Sequence, residues 1–164
     1  MAELKYGWRE GSGRGKEVLV AADQYFHRQG GHFVDIDSTG AAVLATTLAS
    51  QVYGWLETPK DAAGKNAWKS SATAKADKAF VLYDTNDKFE LPLAATTTAN
   101  ATMMGKGAGL QWTLAATYGG IQKAIYRATA ASCLFIIVDF NTANQTVTVK
   151  IKPQKQTPGS KTSG

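Results

Sequence analysis

The chain has 164 residues, a formal net charge of +5, one cysteine, and charged residues at 19% of its positions. This length predicts one compact domain, and the absence of an apolar run of about 18 residues excludes a membrane-spanning helix. A single cysteine, Cys133, excludes an intrachain disulfide and any cysteine-based zinc cluster within one chain. The start is charged and glycine-rich instead of apolar, so we expect synthesis in a reducing host cytoplasm without secretion.

The composition predicts a mainly β fold. Alanine, glycine and threonine together account for 60 of the 164 residues. Threonine, valine and aromatic residues recur in short groups, separated by Gly, Asn, Asp or Ser. This arrangement is typical of many short strands joined by tight turns. We expect a single compact domain of the β-barrel or β-tulip kind.

Three segments are predicted along the chain. Residues 1–17 contain four glycines and bury little beyond Tyr6 and Trp8, so they predict a flexible N-terminal arm. Residues 18–152 carry the apolar patterns of the β domain. Residues 153–164 contain no apolar side chain, which predicts a disordered C-terminal tail.

The first predicted hairpin joins residues 25–28 to residues 32–37 through the turn at 29–31. Two consecutive glycines in that turn can supply the positive φ angles that a tight hairpin needs. In the second strand Val34 and Ile36 fall on one face, which is predicted to be packed. The other face carries Phe33, Asp35 and Asp37 and is predicted to be solvated.

The next strands are predicted at residues 43–46 and 51–57. Gly54 inside the second of them indicates a β-bulge or a close approach of another backbone. Residues 58–78 are polar apart from the isolated Trp68 and a few alanines. Both an extended surface loop and a weak helix remain open for this stretch.

Two further pairs of strands are predicted in the second half of the chain. Residues 80–83 and 88–91 flank the turn 84–87, which has good turn chemistry and predicts a second hairpin. The apolar run 133–139 is typical of a central strand. Its predicted partner is 146–151, which alternates with period two.

Catalytic and metal sites receive little support from the residue pattern. The two histidines, His27 and His32, flank a predicted turn, and Cys133 lies at the head of an apolar strand, where buried thiols are common. A metal site formed by the histidines with Asp35 and Asp37 is conceivable on a hairpin, but a polar strand face explains these residues better.

Two glycine clusters, 11–15 and 105–109, fit neither a Walker loop nor a dinucleotide-binding fingerprint. They predict turns and a flexible arm instead of a phosphate site. We therefore expect no cofactor and no enzymatic activity.

Nucleic-acid binding is tested by where the charge lies. Residues 150–164 contain four lysines and no acidic residue, so residues 1–149 carry a net charge of only +1. A nearly neutral body is a poor surface for tracking phosphates, which argues against nucleic acid as the partner. The aromatic and basic residues at 25–28 keep one alternative open, an oligonucleotide-binding β-barrel module of the OB type.

The order of local patterns resembles the small capsid decoration, or cement, proteins of tailed bacteriophages. The resemblance covers residues 18–152 and lies in YFHRQGGHFVDIDSTG, ASQVYGWLE, KAFVLYDTNDKFELP, NATMMGKGAGLQ and CLFIIVDFNTANQTVTVKIKPQKQ. It implies a β-barrel or β-tulip domain, homotrimers on the capsid exterior of the virion, and terminal arms that cross neighbouring capsid subunits. The polar segment 58–78 is longer than a minimal member of that family would have.

This resemblance and the residue pattern lead to one functional expectation. We expect a non-enzymatic structural protein that stabilises a capsid by binding the major capsid protein and bridging its subunits. The arm is the expected contact, with Trp8 as the aromatic anchor. The other candidate arm residues are Tyr6, Arg9, Arg14 and Lys16.

Overall fold

The computed structural model describes residues 7–27, 31–46, 50–59, 67–95, 97–115, 119–129 and 133–157. Strands dominate these ranges, and the two helices described within them are 3-10 helices of three residues, Ala101–Met103 and Pro153–Lys155. The predicted mainly β fold class is therefore confirmed. None of the described helices is long and apolar enough to cross a membrane.

The described residues form thirteen strands in two sheets. In chain order the strands are β1 (Gly7–Glu10), β2 (Gly15–Leu19), β3 (Tyr25–His27), β4 (Gly31–Ile36), β5 (Ala42–Leu44), β6 (Gly54–Glu57), β7 (Ala67–Lys69), β8 (Lys78–Leu82), β9 (Lys88–Pro92), β10 (Gly107–Ala115), β11 (Gly119–Arg127), β12 (Phe135–Asn141) and β13 (Thr146–Ile151). The eight-stranded sheet has the order β1-β9-β13-β12-β10-β11-β3-β7, and the five-stranded sheet has the order β2-β8-β6-β4-β5.

Each sheet bends until distant strands meet at a single bridge. In the eight-stranded sheet, Leu93 beyond β9 bridges Ala124 of β11, and in the five-stranded sheet Val20 beyond β2 bridges Ala42 of β5. One bridge is not a ladder, so among the described residues neither sheet forms a closed barrel. The sheets instead pack together as one compact β domain.

Strand β4 of the five-stranded sheet is buried on both faces. Phe33 and Val34 are neighbours on β4, and both are 0% exposed. Phe33 belongs to a cluster shared with the eight-stranded sheet, whereas Val34 belongs to a second cluster that includes Phe26 and Trp68. The prediction that the face of Phe33 is solvated is therefore wrong, because Phe33 is buried in the cluster shared with the eight-stranded sheet.

The predicted pairing of the last two strands is confirmed. β12 and β13 pair antiparallel from Phe135↔Ile151 to Asn141↔Thr146, with a β-bulge between Ile137 and Asp139. β12 is also central in its sheet, as its apolar run predicts. Period-two alternation places Val147 and Val149 of β13 in the core.

The other two predicted hairpins are wrong. The strands exist, but β3 and β4 lie in different sheets, and so do β8 and β9. β8 pairs with β2 and β6, while β9 pairs with β1 and β13. Each predicted turn is thus a connection that crosses between sheets.

Both predicted terminal segments contribute to the described fold. β1 and β2, within the predicted arm, pair with β9 and β8 respectively, and residues 1–6 lie outside the described residues. At the other end, the backbone N–H of Thr157 donates to Val52, whose own N–H donates to Lys155. Of the four lysines in residues 150–164, Lys150, Lys152 and Lys155 therefore belong to the folded body, and residues 158–164 lie outside the described residues.

Two sequence ambiguities are resolved by close packing. A Cβ placed on Gly54 would lie 2.2 Å from the carbonyl oxygen of Leu82, so this glycine permits a close backbone approach. Trp68 lies on β7 and stacks on Phe26 with ring centroids 5.4 Å apart. Part of the polar stretch 58–78 is therefore a strand that contributes a core aromatic, and residues 60–66 lie outside the described residues.

Candidate partner-binding surface

Residues 7–19, called here the N-terminal segment, form the edge strands of both sheets. β1 is the terminal strand of the eight-stranded sheet, and β2 is a terminal strand of the five-stranded sheet. The turn between them lies beside the β8–β9 connection, which crosses between the same two sheets. The N-terminal segment is therefore held to the body along two separate ladders.

The carboxylate of Asp87 fixes this turn. Asp87 is fully buried, and its Oδ2 accepts hydrogen bonds from Trp8 Nε1 and from the backbone N–H of Gly13, both at 3.2 Å. Ser12 Oγ donates to Asp84 Oδ2 at 2.7 Å and lies 3.4 Å from Asp87 Oδ1. A buried carboxylate with such donors is stabilised in place instead of being left unsatisfied.

The glycines of the turn are required by this arrangement. Gly11 has a φ of +135°, and a Cβ there would lie 2.0 Å from Asp87 Oδ1. Gly13 has a φ of +63°, in the left-handed region that favours glycine. The cluster 11–15, predicted to be turns and a flexible arm, is a turn with defined contacts.

Trp8, the predicted aromatic anchor, lies exposed on β1. Its side chain is 40% exposed although its indole N–H is held by Asp87. Arg9 Nε pairs with Glu90 Oε2 at 2.5 Å across β1 and β9. The ring of Trp8 thus remains accessible, while the hydrogen bond to Asp87 fixes its orientation.

The remaining predicted contact residues lie on the same segment. Arg14 is exposed, and its carbonyl accepts a hydrogen bond from the backbone N–H of Tyr83 at 3.1 Å. Lys16 Nζ lies 5.7 Å from the centroid of the Tyr53 ring, a cation–π geometry. Tyr6 lies outside the described residues.

Hydrogen bonding and charge lower the pKa of Asp84 at this turn. The backbone N–H of Asn86 has the largest effect, followed by the hydroxyl of Ser12, with a smaller contribution from the Arg14 charge. Asp37 behaves similarly: burial alone would raise its pKa, but hydrogen bonds from Thr39 and Ala41 lower it below 3.8. Both turns therefore favour the ionised carboxylate.

Stability should therefore fall on acidification. A carboxyl group with a lowered folded-state pKa contributes stability above its unfolded pKa and loses it as pH falls through the folded value. Both lowered pKa values start from 3.8, so the loss should begin near that pH and continue below it. Urea denaturation between pH 7 and pH 3 measures the effect, and Asp84→Asn should reduce it.

Glu57 provides the opposite control, because burial raises its pKa. Its protonation stabilises the fold as pH falls, so Glu57→Gln should make the acid-dependent loss of stability steeper. A wild-type urea midpoint that does not fall as the pH is lowered below about 3.8 would contradict the assignment of Asp84 and Asp37.

The residues weighed for metal binding are not brought together. His32 is buried and contacts the Phe26 ring edge-on at 5.7 Å, whereas Asp35 lies on the opposite face of β4 and bonds to Thr157. Asp37 Oδ1 accepts hydrogen bonds from Thr39 and Ala41 in its own turn. The side chain of His27 lies outside the described residues, and those described contain no group of three or more potential metal ligands.

The aromatic platform weighed for nucleic acid is only partly available. Phe26 is 0% exposed and stacked on Trp68, so it cannot stack on a base. Tyr25 is exposed, with Lys69 Nζ 5.0 Å from its ring centroid. Arg28 lies outside the described residues, so the segment offers one described aromatic ring for stacking.

Sequence reasoning missed the polar side chains that join distant elements. Gln122 on β11 bonds three backbone groups of Phe33 and Ala45, and Gln156 Nε2 donates to the carbonyl oxygens of Tyr53 and Tyr83. The available signal was weak: Gln122 is a polar residue two positions before Ala124, which lies in the core.

Comparisons with protein families, curated proteins and solved structures found no match for this chain.

Proposed function

We propose that this chain is a structural protein that binds the outer surface of a viral capsid and bridges neighbouring capsid subunits. The layout of residues 18–152, which resembles phage decoration proteins, supports this reading. So does a β domain whose N-terminal segment presents an aromatic anchor and cations at one edge. In this proposal the major capsid protein is the partner, and the chain acts as a homo-oligomer, a trimer, on the virion exterior.

The fixed and exposed indole of Trp8 carries the proposal. Aromatic residues that bury themselves in a partner's pocket contribute a large share of binding energy at protein interfaces. An anchor whose conformation is already held loses less entropy on binding than a mobile one. Trp8 has both properties, because its N–H is bonded to the buried Asp87 while 40% of its surface is open.

The ionisable groups around Trp8 serve to hold the segment in place. Glu90 accepts from Arg9 and from Thr146 Oγ1, and Lys88 pairs with Glu10 on β1. Asp84 and Asp87 accept from Ser12 and from the backbone of the turn. This use of charge favours a rigid binding surface over acid–base chemistry in this part of the molecule.

Trp8→Ala should weaken binding to capsids by about thirtyfold or more, as expected for the loss of roughly 2 kcal/mol at an anchor. The measurement is co-sedimentation of the protein with purified capsids over a range of concentrations. The matched control is Tyr25→Ala, which removes a similarly exposed aromatic from β3, next to the opposite edge strand of the eight-stranded sheet.

Thermal denaturation of both variants checks that each stays folded at the binding temperature. Point variants are needed because deletion of residues 1–17 would also remove β1 and most of β2 from their sheets. Equal capsid binding by wild type and a folded Trp8→Ala protein would contradict the anchor, and no binding by wild type would overturn the proposed function.

A further inference from the structure

We propose that the outer face of the eight-stranded sheet, centred on Gly109, docks against an acidic protein surface. We call it the β10 face. The strand register places eight residues on this side of the sheet, of which Gly107 is buried and the other seven are half-buried or exposed: Gly107, Gly109, Gln111, Lys123, Ile125, Arg127, Ile136 and Lys150. The inference rests on the proposed function in one respect, which is that the capsid is taken to provide the acidic surface.

The register shows that these residues share one face. Directly opposed residues on paired strands point to the same side of a sheet, and successive residues alternate. Ala108 and Leu110 of β10 lie in the core, so Gly107 and Gly109 point outward. Gly107 pairs with Arg127 on one side and with Ile136 on the other, and Ile136 pairs with Lys150.

Gly109 differs from the glycines that the fold itself requires. A Cβ on Gly54 or Gly15 would lie within 2.5 Å of a backbone oxygen, and Gly7 combines a φ of +115° with a contact at 3.1 Å. Gly109 has no positive φ, and a Cβ there would meet nothing within 4 Å.

Glycine in a strand interior weakens the strand and often marks a place where another backbone or a ligand approaches closely. The intramolecular contacts of Gly109 do not explain its presence as the third residue of a nine-residue strand. Close approach by a partner does explain it, because a bare backbone lets the partner lie directly on the sheet.

The charge of the β10 face selects the partner. Lys123, Arg127 and Lys150 make no ion pair with the described residues, whereas Arg9 and Lys88 on the same sheet are paired with Glu90 and Glu10. With strands about 4.8 Å apart, the backbones of Lys150 and Arg127 are separated by about 14 Å. Three cations thus surround a centre of glycine and isoleucine.

An apolar centre with charged margins fits a protein interface better than a phosphate backbone, which requires cations along its whole track. Complementarity then requires acidic groups on the partner around a small apolar contact. Ile125 and Ile136 are both partly exposed, and they provide the apolar surface of the β10 face in that contact.

The sheet edges are less suited to docking than the face. β1 carries a register shift between Trp8 and Glu10, and its charged side chains pair across to β9. β7 is three residues long, and its Lys69 pairs with Asp23. Short strands, bulges and charges are the devices by which proteins prevent strand addition at an edge.

Gly109→Trp tests the inference, because the side chain has room and would cover the centre of the β10 face. Folding stability should stay the same or rise, since a strand-favouring residue replaces glycine. Capsid binding should fall about tenfold or more. The control is Ala74→Trp, in an exposed turn before β8, which should bind capsids as wild type does.

The charge requirement is tested by Lys150→Glu combined with Arg127→Glu, with Lys78→Glu on the exposed part of β8 as the matched control. The double variant should lose about tenfold or more in binding both to capsids and to poly-L-glutamate, and the loss should shrink as salt is raised. Duplex DNA is tested in parallel.

The outcomes separate this inference from the proposed function. If wild type binds capsids and Gly109→Trp binds equally well, the β10 face is wrong while the proposed function stands. If wild type binds poly-L-glutamate but not capsids, and both sets of β10-face variants lose that binding, the proposed function fails and the β10 face stands. Two results would overturn the β10 face as a site for an acidic protein. One is that the wild type binds neither capsids nor poly-L-glutamate, and the other is that it binds duplex DNA and the same variants abolish that binding.

Discussion

Gln122→Leu should destabilise the fold by roughly 3 to 5 kcal/mol, although leucine has a similar volume and suits a buried strand. Gln122 Oε1 accepts from the backbone N–H of Phe33 at 2.7 Å, and Nε2 donates to the carbonyl oxygens of Phe33 and Ala45 at 2.9 and 2.8 Å. Leucine would leave the Phe33 N–H and the Ala45 carbonyl oxygen without these partners, at about 1 to 3 kcal/mol each. The Phe33 carbonyl oxygen would keep its hydrogen bond from the Ala45 N–H. Chemical denaturation followed by circular dichroism measures the loss.

The control is Gln111→Leu on the neighbouring strand. Gln111 is half-buried and makes no side-chain hydrogen bond to the described residues, so its replacement should change stability by less than about 0.5 kcal/mol. If the two variants denature at the same urea concentration, the amide of Gln122 does not join the two sheets as argued.

The Gln122 contacts show why the sheet pairing could not be predicted. Gln122 contacts Phe33 across 89 residues of sequence, and its amide forms hydrogen bonds with the backbone of β4 as a neighbouring strand would. No local pattern encodes such a contact. Alternation and turn chemistry correctly located β4, β8 and β9, but the partners of these strands are set by distant side chains.

The β12–β13 hairpin was predictable because its information is local. A strongly apolar strand, a short polar turn and a strand of strict alternation follow one another, and the burial of Val147 and Val149 matches the alternation. The 84–87 turn looks equally good in sequence. It crosses between sheets because its Asp87 is bonded to Trp8 and Gly13, more than seventy residues earlier.

The candidate surface was predicted in its residues but not in its form. The sequence singled out Trp8, Arg9, Arg14 and Lys16. The four glycines of residues 1–17, however, predicted a flexible arm. Glycine count alone cannot distinguish disorder from close packing. Gly11 is required because Asp87 Oδ1 occupies the space of a side chain, and Gly15 because the Val81 carbonyl oxygen does.

Asp87→Ala should cost roughly 3 kcal/mol and should also release Trp8. The substitution removes the acceptor of the Trp8 indole and of the Gly13 N–H from a fully buried site, and each unpaired group costs about 1 to 3 kcal/mol. Without that hydrogen bond the indole gains rotational freedom, so capsid binding should fall even where the protein remains folded.

Hydrogen exchange of the Trp8 indole N–H, assigned by its loss in Trp8→Phe, separates local release from global unfolding. In Asp87→Ala this proton should exchange faster while the backbone amides of β12 and β13 stay protected. The matched control is Asp139→Ala, whose carboxylate is exposed and, among the described residues, accepts a hydrogen bond only from the N–H of Phe140. Asp139→Ala should leave both the indole exchange and capsid binding unchanged. Slow indole exchange in Asp87→Ala would mean that Asp87 does not hold the anchor, and the preorganised form of the capsid contact would then be wrong.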